Sequence, residues 1–258
     1  MDPASPVIRC LTAPNPSLMT LSGTNTYLVG EHEVVAIDPG PAIASHLQAI
    51  LEAVERQGGH LVAVLATHSH ADHLPGSLAL GRMAGVPVHR FGGAGGLEDG
   101  SVIRTADVEI RAVHTPGHAS DHLCFYVPAA QALFTGDLIL GLGTTVIGDL
   151  GAYLDSLRRL QVLPLRRIYP GHGPLVEEPQ AKIQEYLTHR LEREAQILRA
   201  LEAGREQLGA IVAAVYADVD PRLHGAAALS VTAHLVKLER EGRVACRWDA
   251  GELRARLP

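Results

Sequence analysis

Six consecutive residues, His68-Ser69-His70-Ala71-Asp72-His73, carry three imidazoles and one carboxylate. These are the ligand types that borderline cations such as zinc prefer. The hexapeptide follows an apolar run, Leu61-Val62-Ala63-Val64-Leu65-Ala66-Thr67. That run is short, rich in aliphatic side chains and ends abruptly in polar ones, which predicts a buried strand running into a loop. Loops at the carboxyl ends of buried strands are where open α/β sheets hold their ligands.

Three further segments repeat the arrangement. Val108–His114 leads into Thr115-Pro116-Gly117-His118, Ala132–Gly136 leads into Asp137, and Arg167–Gly171 leads into His172. A glycine immediately before each of these ligand candidates lets the backbone turn sharply. The candidates are therefore His68, His70, Asp72, His73, His118, Asp137 and His172, too many for one tetrahedral ion and suited to two. His68 and His70 project to the same side; Asp72 and His73 follow a bend and can serve a second ion, and Asp137 could bridge both. Paired ions roughly 3.5–4 Å apart can clamp the attacking and leaving oxygens of a hydrolysis.

The other histidines take ordinary roles. An isolated histidine at a strand end is usually a hydrogen-bonded structural residue, and His32, His46, His60, His89, His114, His224 and His234 are assigned to that class. His122 is assigned to orienting a loop. Asn25 and Thr144-Thr145 are candidates for lining the mouth, or equally for a strand start and a loop turn; His189 is a candidate to reach the site from a long helix.

The 258 residues suit one large domain with a small appendage. No apolar run approaches the roughly 20 residues needed to cross a bilayer. Residues 1–6 show no basic-then-apolar leader and no Arg-rich amphipathic character, so the expected location is cytoplasmic, with no membrane partner. Cys10, Cys124 and Cys246 form no C-x-x-C pair, which argues against a disulfide framework. Net charge is −6, and residues 190–258 hold 11 basic against 10 acidic side chains, so the acidity lies in the first part. An acidic body advertises no polyanion-binding surface. Gly92-Gly93-Ala94-Gly95-Gly96 lacks the spacing of a dinucleotide fingerprint or a P-loop and reads as a surface loop; no nucleotide cofactor is expected.

Residues 1–178 alternate strand and helix patterns, which predicts an α/β layered domain. Strands are predicted at 26–29, 34–37, 61–66, 86–89, 108–114, 123–127, 132–135 and 167–169, with helices at 42–57 and 153–163. Residues 179–258 read as helices at 181–202, 206–216 and 223–241 and a terminal hairpin turning at Asp249-Ala250-Gly251, the order of a winged-helix module. Helix 223–241, the candidate recognition helix, offers only His224, His234, Lys237 and Arg240 to a nucleic acid, which favours packing or a homodimer contact.

The His-x-His-x-Asp-His segment with distant His118, Asp137 and His172 resembles the signature of the metallo-β-lactamase superfamily. Gly23–Val29, Thr115–His118, Phe134–Gly141, Gly143–Val146, Ile168–Pro174, His189-Arg190 and His234–Gly242 are similar to the beta-lactamase-like protein 2 family within it. The resemblance implies a four-layer αβ/βα sandwich with two Zn²⁺, or Mn²⁺ or Fe²⁺ in their place. It assigns His68, His70 and His118 to one ion, Asp72, His73 and His172 to the other, and Asp137 to the bridge. Animal members of that family are endoribonucleases acting on single-stranded RNA, and fungal relatives hydrolyse polyketide thioesters. True β-lactamases of the superfamily lack the bridging aspartate. Flavo-diiron reductases carry Glu where His70 stands, and the RNA-processing nuclease branch needs an insert for which the 34 residues between Asp137 and His172 leave no room. Glyoxalase II shares the ligands, but its C-terminal segment differs from residues 180–258.

The expectation is thus a dinuclear hydrolase using a metal-bound hydroxide, with Asp72 as the catalytic residue that orients it and accepts its proton. The first substrate expectation is single-stranded RNA or another phosphodiester, which requires a basic groove from the metals toward the winged helix. The alternative is a small-molecule ester or thioester, which requires an apolar or glutathione-sized slot. A non-catalytic nucleic-acid-binding regulator ranks third, because all seven ligands are intact.

Overall fold

The computed structural model describes residues 6–93, 96–249 and 251–258. The leader expectation at residues 1–5, part of the glycine-rich loop (Ala94 and Gly95) and Ala250 of the terminal turn lie outside the described residues. Twelve strands and six helices are described: β1 Ile8–Thr12, β2 Asn25–Val29, β3 Glu33–Ile37, α1 Ala44–Arg56, β4 His60–Leu65, α2 Leu74–Ala84, β5 Val88–His89, β6 Val102–Arg104, β7 Glu109–His114, β8 Leu123–Val127, β9 Ala132–Gly136, α3 Leu150–Gln161, β10 Arg167–Pro170, α4 Pro179–Glu202, α5 Leu208–Val215, α6 His224–Arg240, β11 Ala245–Asp249 and β12 Glu252–Arg256.

Two five-stranded sheets form the centre, in the orders β1-β2-β3-β4-β5 and β10-β9-β8-β7-β6. Strand alternation sorts the side chains between layers. Tyr27, Val29, Val35 and Ile37 meet Ile110, Phe125 and Phe134 between the sheets. Their neighbours Leu28, Val34, Ala36 and Val64 face outward onto Leu47, Ile50 and Val54 of α1 and Leu80 of α2. On the far face Cys124, Leu133 and Ile168 pack against Tyr153 and Leu157 of α3 and Ile183 and Tyr186 of α4. The result is a helix–sheet–sheet–helix sandwich.

A separate cluster of Ile197, Ile211, Val212, Val231, Leu235, Leu238 and Leu253 binds the end of α4 to α5, α6 and the β11–β12 hairpin. The long helix α4 therefore enters both cores: Ile183 and Tyr186 belong to the sandwich, Ile197 and Leu201 to the appended module. Among the described residues no helix is long and apolar enough to cross a membrane.

Three elements escape the sequence prediction. β1 is a half-exposed edge strand with no buried side chain, so it lacks a hydrophobic signature. β6 has three residues, too few for a period to register. In α2 a proline and two glycines, Pro75, Gly76 and Gly81, dilute the helical pattern.

Candidate metal centre

Strand direction brings the candidate ligands together. β3 and β4 are parallel. β7 and β9 both run antiparallel to β8, and β10 runs parallel to β9. The carboxyl ends of β3 and β4 therefore share one edge of the first sheet, and those of β7, β9 and β10 share one edge of the second. Backbone bonds tie the two edges: Leu123 N donates to Thr67 O at 2.7 Å and Asn25 N to Gly171 O at 2.8 Å. Two glycines make the approach possible. Gly136 has φ +45°, and a side chain there would overlap Thr67 Oγ1. Gly117 has φ +140°, and a Cβ would overlap the backbone of Tyr153.

All seven candidates meet at this rim, in two groups that share Asp137: His68, His70 and His118 with Asp137, and Asp72, His73 and His172 with Asp137. In the first, His68 Nε2 lies 2.9 Å and His118 Nε2 3.0 Å from His70 Nδ1, and Asp137 Oδ2 is 3.7 Å from His118 Nε2. In the second, His172 Nε2 is 3.2 Å from Asp72 Oδ2 and 3.3 Å from Asp137 Oδ1, and His73 Nε2 is 3.3 Å from the same Asp137 oxygen.

The neighbours decide which ring nitrogens are lone pairs. Thr67 Oγ1 donates to Asp38 Oδ2 at 2.7 Å, so it accepts from His68 Nδ1 at 3.0 Å. His118 Nδ1 donates to the Val146 carbonyl at 2.8 Å, and His172 Nδ1 to the Gly23 carbonyl at 3.1 Å. Each of these histidines therefore turns an Nε2 lone pair inward. Two lone pairs converge on His70 Nδ1, which carries at most one proton, so hydrogen bonds alone cannot satisfy the cluster. A tetrahedral cation with Zn–N bonds of about 2.1 Å separates its nitrogens by roughly 3.4 Å, close to the spacing here. In the second group His73 Nε2 and Asp137 Oδ1 are buried without a hydrogen bond. The donor set fits two divalent cations.

The electrostatics differ between the groups. Burial pushes the His68 and His118 imidazoles down, His68 well below its ordinary range with His73 and His122 adding to the effect, so both are neutral. Burial also opposes charge on His172, but Asp137 and Asp72 outweigh it and hold the imidazole up at about 9. For Asp137, burial is overcome by His73 and His172, which keep it well below the usual carboxylate range.

Asp38 escapes the sequence reading. It follows the apolar run of β3 and adopts φ +49°, with its carboxylate accepting Thr67 N at 2.8 Å and Thr67 Oγ1 at 2.7 Å. Its signal was the one used elsewhere, an apolar run ending at a carboxylate, here in Val34-Val35-Ala36-Ile37-Asp38. Other residues take places of their own. Asn25 is buried and donates to the Pro170 and Gly173 carbonyls, framing the His172 turn. His122 is sealed behind His68, with Nδ1 2.9 Å from Thr115 Oγ1. Thr145 reaches His118 Nδ1 at 3.0 Å, whereas Thr144 is exposed. His189 lies outside both groups and accepts from Arg193 at 3.3 Å within α4. His46 bonds Thr26 Oγ1 at 2.8 Å and His114 bonds the Ser120 carbonyl at 2.9 Å, both structural.

The chain has clear relatives among known proteins. The Metallo-beta-lactamase superfamily model matches residues 19–95 and 74–172, and the Beta-lactamase associated winged helix domain matches 208–249. A Beta-lactamase-like protein 2 homolog of Drosophila melanogaster is 37% identical, over 96% of this chain and 92% of its own. An Atrochrysone carboxyl ACP thioesterase of Aspergillus chevalieri is 38% identical over 85% and 73%, respectively. A beta-lactamase domain protein from Burkholderia ambifaria has the same fold, with TM-score 0.84 at 18% identity over 99% of this chain and 95% of its own.

Proposed function

The chain belongs to the metallo-beta-lactamase superfamily, a hydrolase family, and from that premise we propose that it hydrolyses thioesters with an apolar acyl part at two divalent cations. The observation that carries the two-ion reading is the pair of ligand groups meeting on Asp137. His68, His70 and His118 would hold one cation and Asp72, His73 and His172 the other. Bound there, the cations supply Lewis acidity and lower the pKa of water from 15.7 toward about 7.

The protein's own groups do the rest. The bonds from Thr67, Val146 and Gly23 keep three imidazoles in the ligand tautomer. Asp72, more open to solvent than Asp137, is the carboxylate placed to hold the attacking water and take its proton. Burial of His73 and Asp137 keeps bulk water from the floor of the site.

Two features favour a thioester over RNA. A groove of about 460 Å³ lies against Gly173, next to His172, lined by Cys10, Leu21, Tyr27, Leu142, Pro174 and Leu175. That volume is in the range of small-molecule sites. The cations of α6 and its flank are already paired: Lys237 and Arg243 share Glu194 and Glu241 at 2.7–3.5 Å, and Arg240 meets Asp149 at 3.2 Å. A basic groove toward the winged helix is what RNA would need. The relative from Aspergillus chevalieri is itself named a thioesterase.

The test is a side-by-side assay of zinc-loaded protein on decanoyl-pantetheine, S-lactoylglutathione and end-labelled single-stranded RNA. The expected result is a kcat/KM on the decanoyl thioester at least about 10-fold above that on S-lactoylglutathione, from the extra apolar burial. RNA cleavage that disappears in Asp137→Ala, without thioester turnover, would transfer the activity to phosphodiesters.

A further inference from the structure

Arg190 is one of the largest fully buried side chains, 1% exposed, yet among the described residues no carboxylate lies within ion-pair distance of it. Nearby Glu194 is taken by Lys237 and Arg243. A guanidinium withdrawn from water without a counter-charge is costly, so what it holds matters. Its Nη2 donates to the Thr145 carbonyl at 2.8 Å, and its Cζ lies 5.5 Å from the centroid of the Tyr153 ring.

Both contacts lead to His118. Thr145 Oγ1 is 3.0 Å from His118 Nδ1, and the next carbonyl, Val146 O, accepts from that same nitrogen at 2.8 Å. Tyr153 abuts Gly117, the residue before His118, and donates to the Leu138 carbonyl beside Asp137 at 2.6 Å. Tyr186, four residues before Arg190 and so on the same face of α4, accepts from Leu140 N at 3.0 Å and donates to the Gly143 carbonyl at 2.9 Å. The helix thus grips segment 140–145 at two points, and that segment sets the ring of one ligand.

We propose that Arg190 is a positioning residue for the first ligand group: by anchoring Thr145 it fixes the segment that orients His118. The inference rests on the metal-dependent reading above. It makes α4, whose far end is packed in the winged-helix module, part of the support of the metal centre. Arg190 touches no reacting atom in this role and acts only through Thr145, Val146 and His118.

The test uses the full chain, stripped of metal and titrated with Co²⁺, comparing wild type with Arg190→Leu, Arg190→Lys and Thr145→Val. Arg190→Leu should weaken one of two Co²⁺ equivalents by about 10–100-fold and change the visible absorption of that ion, the usual scale for lost outer-shell partners. The other equivalent should lose less than the first, since His172 meets the gripped segment only through its backbone carbonyl, which accepts from Gly141 N at 2.9 Å, and Asp137 only through the neighbouring Leu138. Arg190→Lys, which keeps a donor, should recover part of the loss, and Thr145→Val should show a smaller loss in the same ion. A general structural defect would lower the melting temperature without singling out one equivalent.

Folded Arg190→Leu with both affinities and the spectrum of wild type overturns the proposal. If that variant does not fold, an unshifted Thr145→Val overturns it. A wild type that binds no Co²⁺ overturns the metal-dependent reading and this one with it, whereas a two-ion wild type with unaffected variants overturns this one alone.

Discussion

Nδ1 of His73 lies 2.9 Å from Oδ2 of Asp38, and both side chains are closed to solvent. The same carboxylate holds Thr67, whose hydroxyl accepts from His68, so one residue supports a member of each ligand group. Burial disfavours charge on His73, but Asp38 and Asp137 outweigh it and hold the imidazole well above its ordinary range. Asp38→Ala removes one partner of a buried charged pair, for which a loss of about 3–5 kcal/mol is expected in urea denaturation. Asp38→Asn, which keeps the shape, should fold and bind cation about 10–100-fold more weakly. Full metal affinity in Asp38→Asn would remove Asp38 from the support of the centre.

Gly117 is required by its backbone and by what it touches. At φ +140° with no room before Tyr153, Gly117→Ala forces the His118 loop off α3. A loss of about 3 kcal/mol or more is expected, which for a chain of this size is a melting temperature lower by roughly 6–12 °C. A thermal melt of the variant superimposing on wild type would contradict the packing described.

His234 gives the module an acid sensitivity. It is fully buried, neither ring nitrogen has a hydrogen bond, and burial, with Arg190 and Lys237 adding to it, pushes its pKa down to about 3. The unfolded residue titrates near 6.5. The unfolded chain therefore binds the extra proton between those values, so this stabilisation is complete above pH 6.5 and is lost as pH falls toward 3. About 2 kcal/mol should disappear between pH 7 and 5 from this residue alone. His234→Leu should flatten the stability–pH curve by that amount in urea titrations. Parallel curves for the two proteins would show that His234 titrates alike in the folded and unfolded chain and is not depressed by burial.

Leu142 is 62% exposed at the edge of the apolar groove. If an acyl chain lies there, Leu142→Asn removes binding common to the bound substrate and its transition state. KM for decanoyl-pantetheine should rise about 10-fold with little change in kcat. An unchanged KM would place the acyl chain elsewhere.

Much of the centre was legible because its residues sit where periodicity breaks. Each candidate ligand stands just past an apolar run, and a glycine marks the turn before His118, Asp137 and His172. The run before Asp38 carries the same mark, but Pro39-Gly40 after it read as an ordinary turn, and no partner for that carboxylate is visible until β3 and β4 lie side by side. Arg190 stood out only beside His189 in the family resemblance, and its burial was hidden for a different reason. A charged residue on a long helix looks solvated, and its burial depends on segment 140–145 folding back across α4. His189, its neighbour, carried the more suggestive chemistry and points elsewhere.

The central claim is that two cations share Asp137, and metal stoichiometry tests it most directly. Protein stripped with chelator, reloaded with zinc, desalted and analysed by elemental mass spectrometry should hold two ions per chain, with Asp137→Ala retaining at most one. One ion in the wild type, or two in Asp137→Ala with thioester hydrolysis intact, would contradict the account.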